Sequence, residues 1–125
     1  MERIDRKLID EKYREITFEL LSVLQEHSIE SYIHSLDVAE KSCAIAKALK
    51  VGGDDLKNLY TASLLHDIGK IFVSESLLHK HNATDEERKI IQNVHINGTK
   101  QILDEYFDEA IVNIAFNHIL LASCC

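Results

Sequence analysis

The feature that most constrains the fold is the absence of proline from all 125 residues. Average usage of about 5% would give roughly six prolines in a chain of this length. Because proline breaks helix interiors, its absence permits long uninterrupted helices. Apolar residues recur at helical rather than alternating spacing, as at Ile16, Leu20, Val23 and Leu24. The sequence therefore predicts an all-α protein.

Five helical segments share amphipathic spacing and a start or stop signal. They are expected over about residues 4–25 (one or two helices), 32–50, 54–69, 84–97 and from 109 onward. Gly52 and Gly53 suit the C-terminal cap of the second segment. Asp54 or Asp55 then caps the third segment, which is expected to end at Gly69.

A capping box opens the helix that follows residue 84. The Thr84 hydroxyl can accept a hydrogen bond from the Glu87 amide, and the Glu87 side chain can reach back. Before this helix, residues 71–81 are expected to form a loop with one helical turn. Beyond it, Gly98 is expected to bend the chain and Asp108 to cap the last helix.

The charge balance excludes several classes of partner. Twenty-one acidic residues against fourteen Lys and Arg give a net charge of −7, so the chain has no basic surface for a nucleic-acid polymer or an anionic membrane. No apolar run approaches the roughly 18 residues of a membrane-spanning helix, and the charged N-terminus has no signal-peptide core. Cys43, Cys124 and Cys125 do not suggest a disulfide framework. We expect a cytoplasmic protein.

A histidine and an aspartate form the pattern most relevant to chemistry. His66 and Asp67 are adjacent and are followed by Gly69 and Lys70. Imidazole suits transition metals, and a carboxylate adds negative charge and a second oxygen with which to bridge two ions. A lysine beside such a site suits a phosphate oxygen, and the alternative is a lysine that faces the carbonyls at a helix end. The segment therefore indicates a metal site with a phosphate contact.

Further candidate ligands lie on three other predicted helices. Glu30 and His34 are spaced i, i+4, so one helical turn places both on one face. His95 follows the capping box, and His118 lies in the last helix. For Glu30 the alternative is a solvated carboxylate at a helix start, and for His118 it is a core histidine with a satisfied ring. The remaining histidines are expected at the surface: His27, His79 and His81.

The motifs around these residues resemble those of a known family. SLLHDIGKI over residues 63–71 is similar to the signature of the HD-domain metal-dependent phosphohydrolases. YIHSLDVA over residues 32–39 resembles the first-histidine motif of that family, and residues 77–95 resemble the segment that leads to its third histidine. In this order the motifs are similar to the HD-GYP branch, whose members are bacterial cyclic di-GMP phosphodiesterases. The resemblance covers roughly residues 28–119.

The resemblance implies a fold, a ligand set and a reaction. The fold would be an all-α HD bundle of about five to seven helices with metals held between them. One or two divalent ions, iron, manganese or similar, would be bound by Glu30, His34, His66, Asp67, His95 and His118. Asp67 and Lys70 would be catalytic, with Lys70 on the substrate phosphate. A metal-activated water would hydrolyse a phosphate-containing small molecule, either a nucleotide or a cyclic dinucleotide.

The sequence also departs from that family. A second histidine followed by glutamate is expected after His118, where Ile119 and Leu120 stand, and a later aspartate ligand has no counterpart in these residues. The alternative to an enzyme is therefore a catalytically inactive HD module that senses a metal or nucleotide, or dimerises. A third interpretation is that the sequence is a piece of a longer enzyme.

The last stretch is apolar on more faces than a surface helix needs. Residues 110–121 would need cover from a second copy of the chain or from the N-terminal helices, so a homodimer through the C-terminal helix is one expectation. We expect a single HD domain over residues 1–125. Within it, residues 1–27 would be an N-terminal helical segment and residues 28–119 the HD core.

Overall fold

Helices form nearly all the regular structure of this chain. The computed structural model describes residues 3–122, and the side chains of residues 3–117. Six α-helices follow one another there: α1 Glu11–His27, α2 Ile29–Ala48, α3 Gly53–Leu65, α4 Glu75–Leu78, α5 Asp85–Tyr106 and α6 Glu109–Ala122. Two short 3₁₀ helices are Arg6–Leu8 and Ile68–Phe72. No strand occurs among residues 3–122, which confirms the all-α prediction.

The turn after α2 differs from the predicted glycine cap. Lys50 has a φ of 63°, in the left-handed region that glycine usually occupies. The Val51 amide donates to the Ala46 carbonyl at 2.9 Å, and the Lys50 amide donates to the Lys47 carbonyl at 2.9 Å. These two hydrogen bonds are those of a Schellman turn. Lys50 therefore adopts a left-handed conformation that is strained for a residue with a side chain and that glycine would adopt without strain.

The start of α3 also differs from the prediction. Gly52 is the N-cap and α3 begins at Gly53, whose φ is 58°. Asp54 and Asp55 therefore lie in the first turn rather than at the cap. Their carboxylates still favour the helix there, because the helix N-terminus carries partial positive charge.

Two glycines mark the closest approach between the chain after α3 and α5. α3 ends at Leu65, and Gly69 lies in the following 3₁₀ helix, where a Cβ would collide with the His95 carbonyl and the Thr99 backbone. α5 continues through Gly98 to Tyr106, so its expected end near residue 97 is wrong, and a Cβ at Gly98 would collide with the Phe72 ring. Neither glycine ends a helix; each lies where two elements come into close contact.

The capping box and the single helical turn expected before it are confirmed. The Thr84 hydroxyl accepts from the Glu87 amide at 3.1 Å, and the Glu87 carboxylate accepts from the Thr84 amide at 3.0 Å. Both halves of the capping box are therefore present at the start of α5. The loop before it contains the single turn α4.

α3 is the central helix of the bundle and packs against α1, α2 and α6. The apolar side of α6 is buried against α3 and α5 through Ile111, Val112 and Ala115. The side chains beyond residue 117 lie outside the described part, so the homodimer stays a prediction. None of the described helices combines the length and the apolar character needed to cross a membrane.

Candidate metal centre

Asp67 occupies the turn between α3 and the 3₁₀ helix Ile68–Phe72. Its side chain is only 6% exposed. A carboxylate taken out of water is costly unless cations or hydrogen-bond donors surround it. The partners of Asp67 therefore decide what this part of the molecule can do.

Four basic side chains surround the Asp67 carboxylate. Nε2 of His66 lies 3.3 Å from Oδ2, and Nε2 of His34 lies 3.8 Å from the same oxygen. Nζ of Lys70 is 3.2 Å from Oδ2, and Nε2 of His95 is 2.8 Å from Oδ1. The structure thus brings together five of the residues that the sequence singled out, from α2, the end of α3, the 3₁₀ helix and α5.

The surrounding groups keep Asp67 ionised. Burial by itself raises the pKa of this carboxyl, but the contacts with His95, His66 and Lys70 lower it by more. The net pKa lies well below the usual range of an aspartate. At neutral pH the site therefore presents a full negative charge to its centre.

A backbone carbonyl fixes the ring of His66. Nδ1 lies 2.6 Å from the Ser63 carbonyl oxygen, and since a carbonyl only accepts, Nδ1 carries the hydrogen. In the neutral ring the lone pair is then on Nε2, the nitrogen that faces Asp67. This is the arrangement in which a histidine binds a metal through Nε2 while its other nitrogen is held by a hydrogen bond.

The residues present fit a divalent ion. Nε2 of His95 is buried, and apart from its 2.8 Å ion pair with Oδ1 of Asp67 it has no hydrogen-bond partner among the described residues. A buried nitrogen of this kind needs an explanation, and an ion is one of the few available. His34, His66 and Asp67 also offer ligand atoms that lie within 4.8 Å of one another. Two imidazoles and a carboxylate are a donor set that transition metals prefer.

Close packing sets the position of His95 relative to Asp67. Gly69 lies against α5 so tightly that its amide donates to the Thr99 hydroxyl at 2.8 Å. The His95 carbonyl occupies the space that a side chain at position 69 would need. Sequence reasoning treated Gly69 as a helix stop and missed this role. The sequence feature that could have indicated this role is a second glycine, Gly98, three residues after His95.

Glu30 is not brought into this group. Its side chain is 81% exposed, and its Oε2 lies 3.4 Å from Nδ1 of His79, a residue that was expected at the surface and is 41% exposed. Both residues line an open depression of about 180 Å³, together with His34 and Lys70 of the candidate metal centre. The role of Glu30 as a ligand stays a prediction, and His79 joins the residues at the mouth of the site.

The three remaining histidines are His27, His81 and His118. The side chain of His118 lies outside the described residues, so its role as a ligand also stays a prediction. His27 is half-buried rather than at the surface, and its Nε2 lies 2.6 Å from the Val73 carbonyl oxygen, which ties α1 to the chain after the 3₁₀ helix. His81 is exposed, as expected.

Curated relatives of this chain are named as phosphodiesterases. The 3′3′-cGAMP-specific phosphodiesterase 1 of Vibrio cholerae is 30% identical over 108 residues, which cover 86% of this chain and 25% of that protein. A cyclic di-GMP phosphodiesterase of Pseudomonas aeruginosa is 30% identical over 90 residues, 70% of this chain and 22% of that protein. The chain therefore spans a quarter or less of the length of these relatives.

A comparison with family profiles agrees with the motifs. The profile described as the HD domain matches residues 31–123, which is most of the chain and contains all four residues that surround Asp67. No solved structure matches the chain. The HD domain family uses divalent metal ions, in agreement with the donor set around Asp67. By this match and by its relatives, the chain belongs to the HD domain family.

Proposed function

We propose that this chain forms the metal- and phosphate-binding part of a metal-dependent phosphohydrolase that cleaves a phosphodiester in a cyclic dinucleotide. The observation that carries the proposal is the convergence of His34, His66, His95 and Lys70 on the buried carboxylate of Asp67. Membership of the HD domain family supports the reaction class. The names of the relatives support the substrate class.

We assign His34, His66, Asp67 and His95 as the ligands of one divalent ion. Such an ion supplies Lewis acidity toward a phosphoryl oxygen and an activated water as nucleophile. The protein's part is to hold the donor atoms in place. The Ser63 carbonyl orients the His66 ring, burial holds the Asp67 carboxylate in place, and His95, His66 and Lys70 keep that carboxylate charged.

We assign Lys70 to the substrate. Its ammonium contacts Asp67 at 3.2 Å and its side chain also lines the open depression beside the site. A lysine on a flexible four-carbon stem can reach from a carboxylate to a phosphate oxygen without moving the backbone. Lys70 would therefore neutralise the charge of a phosphodiester that enters the depression.

A second candidate function is a module that binds a metal without turnover. Two observations favour it: the Glu30 carboxylate contacts the His79 ring, and the Asp67 charge is already paired with Lys70. In this case binding of an ion would report its concentration or stabilise a partner interface. The two candidates differ in whether phosphate ester is hydrolysed.

The test is hydrolysis by metal-loaded protein that has been purified without oxygen. Wild type is expected to hydrolyse bis-p-nitrophenyl phosphate and cyclic di-GMP with Mn²⁺, and Asp67→Asn is expected to lose activity by at least about 100-fold, since even outer residues of metal sites cost 10–100-fold. Asp104→Asn is the matched control, because that carboxylate pairs with Lys100 on the exposed side of α5. Equal activity in wild type and Asp67→Asn would contradict the proposal, and bound metal without hydrolysis would favour the second candidate.

The same assay separates the role of Lys70. Lys70→Met is expected to raise the KM for the phosphodiester by about 10- to 100-fold, the value of a hydrogen bond to a charged group, while the metal content stays that of wild type. Lys100→Met removes an exposed lysine of α5 and should leave both quantities unchanged. A KM unaffected by Lys70→Met would place the substrate elsewhere.

A further inference from the structure

The buried hydroxyl of Thr99 lies between α5 and the turn that carries Asp67. Its oxygen accepts a hydrogen bond from the Gly69 amide at 2.8 Å, and it donates its own hydrogen to the His66 carbonyl oxygen at 3.5 Å. Thr99 is 1% exposed, so bulk water does not reach either contact. This one hydroxyl therefore contacts both ends of the turn over residues 66–69, with Asp67 between them.

The helix that supplies this hydroxyl also carries His95. Thr99 follows His95 by four residues on α5, so the two side chains lie one turn apart on the same face of that helix. Nε2 of His95 lies 2.8 Å from Oδ1 of Asp67, while the Thr99 hydroxyl contacts the backbone on either side of Asp67. An imidazole and a hydroxyl from one helix face thus meet the same turn at neighbouring points.

The contact between the two backbones is close, but it has no preferred direction of its own. The α-carbon of Gly69 faces the His95 carbonyl and the Thr99 backbone so closely that no side chain would fit. A hydrogen bond, in contrast to such a contact, favours one distance and one direction. The Thr99 hydroxyl is therefore the group that fixes where along α5 the turn is seated. Since ligand atoms must be held within about 0.5 Å of their working positions, a small shift of this seat would separate His95 from Asp67.

We propose that Thr99 is a positioning residue of the metal centre, whose hydroxyl holds the turn that carries His66 and Asp67 in register with His95 on α5. Thr99 acts through the backbone of the turn and touches neither the ion nor the substrate. Outer groups that orient ligands are typically worth roughly 10–100-fold in metal affinity. The inference rests on the proposed function, since it concerns the same ion, but binding rather than hydrolysis tests it.

The test is a titration of metal-free protein with Mn²⁺, in which free Mn²⁺ is measured from its electron paramagnetic resonance signal. Thr99→Val keeps the size of the side chain but removes the hydroxyl, so it is expected to weaken binding by about 10- to 100-fold. Thr99→Ser keeps the hydroxyl and is expected to bind Mn²⁺ as wild type does. Thr17→Val is the matched control and should leave the affinity unchanged, because Thr17 is a fully buried threonine of α1 whose hydroxyl has no hydrogen-bond partner among the described residues.

A second measurement separates positioning from a purely structural role, which would lower stability without changing the Mn²⁺ affinity of folded protein. Circular dichroism checks that each variant is folded under the conditions of the titration. Amide hydrogen exchange of Gly69 in metal-free protein reports on the hydrogen bond itself, and it should be faster in Thr99→Val than in Thr99→Ser. If Thr99→Val does not fold, Thr99→Ala and Thr99→Ser make the same comparison because they differ by one oxygen, and Thr99→Ala is expected to bind at least about tenfold more weakly.

The outcomes distinguish this inference from the proposed function. Wild-type Mn²⁺ affinity in folded Thr99→Val, equal affinities in Thr99→Ala and Thr99→Ser, unchanged exchange of the Gly69 amide, or an equal loss in Thr17→Val would each overturn the inference. A wild-type protein that hydrolyses no phosphodiester, but whose Mn²⁺ affinity falls in Thr99→Val, would contradict the proposed function alone. A wild-type protein that binds no Mn²⁺ would contradict both.

Discussion

At the scale of single residues, a buried carboxylate and a glycine decide what this site can be. Three imidazoles and an ammonium surround the two carboxylate oxygens of Asp67. Gly69, two residues later, lets the chain approach α5 closely enough for His95 to be one of those imidazoles. The chemistry of the site therefore depends on a residue that has no side chain.

Gly69→Ala tests that dependence. The new Cβ would collide with backbone atoms of His95 and Thr99, which cannot move without shifting α5, so we expect a loss of about 1–3 kcal/mol in the free energy of unfolding. Gly52→Ala is the control, because a Cβ there meets nothing within 4 Å. Its cost is expected to stay below about 1 kcal/mol, the value of an N-cap change. Urea unfolding of both variants checks the difference, and equal losses would show that the approach of the two elements is not tight.

At the scale of elements, the start of α5 is an example of a helix end that is set by local contacts. Its start is set by the capping box of Thr84 and Glu87, and Lys80 adds a two-pronged ion pair to the same Glu87 carboxylate at 2.8 and 2.9 Å. These contacts lie within seven residues of one another. They do not require the rest of the fold, which is why the sequence predicts them.

The Glu87 carboxylate gives this start a pH dependence. The hydrogen bonds from Lys80 and then from the Thr84 amide lower the pKa of Glu87 to about 2 in the folded chain, against about 4.3 when unfolded. A carboxyl whose pKa is lowered on folding stabilises the fold above its unfolded pKa, and that contribution is lost as the pH falls toward the folded value. The stability difference between wild type and Glu87→Gln should therefore be constant above pH 5 and shrink between about pH 4.3 and 2. Thermal unfolding over pH 2–7 measures this stability difference. A difference that does not change with pH would contradict the lowered pKa of Glu87.

The structural roles of the glycines were the feature of the helices that the sequence predicted least well. Gly69 and Gly98 were expected to stop or bend helices, yet both lie where two elements touch. Lys50 takes the left-handed turn that Gly52 was expected to supply. A glycine that permits a contact and a glycine that ends a helix look alike in sequence, because the neighbour that the missing side chain would strike is distant along the chain.

At the scale of the whole molecule, the bundle brings together residues that are far apart in sequence. His34 lies on α2, His95 on α5, and the pair His66 and Asp67 at the end of α3. Motif order and the resemblance to the HD family predicted that these residues share a site. They did not predict that Glu30 would contact His79, because the direction of an exposed side chain at a helix start is set by a neighbour from another element.

The central claim is that the groups around Asp67 hold a divalent ion, and anomalous diffraction tests it most directly. Crystals of the chain grown with Mn²⁺ are measured on both sides of the manganese absorption edge. The account predicts a strong anomalous peak within coordination distance of His34, His66, Asp67 and His95, which disappears in Asp67→Asn. No peak among these four residues at saturating Mn²⁺, or an unchanged peak in Asp67→Asn, would contradict it.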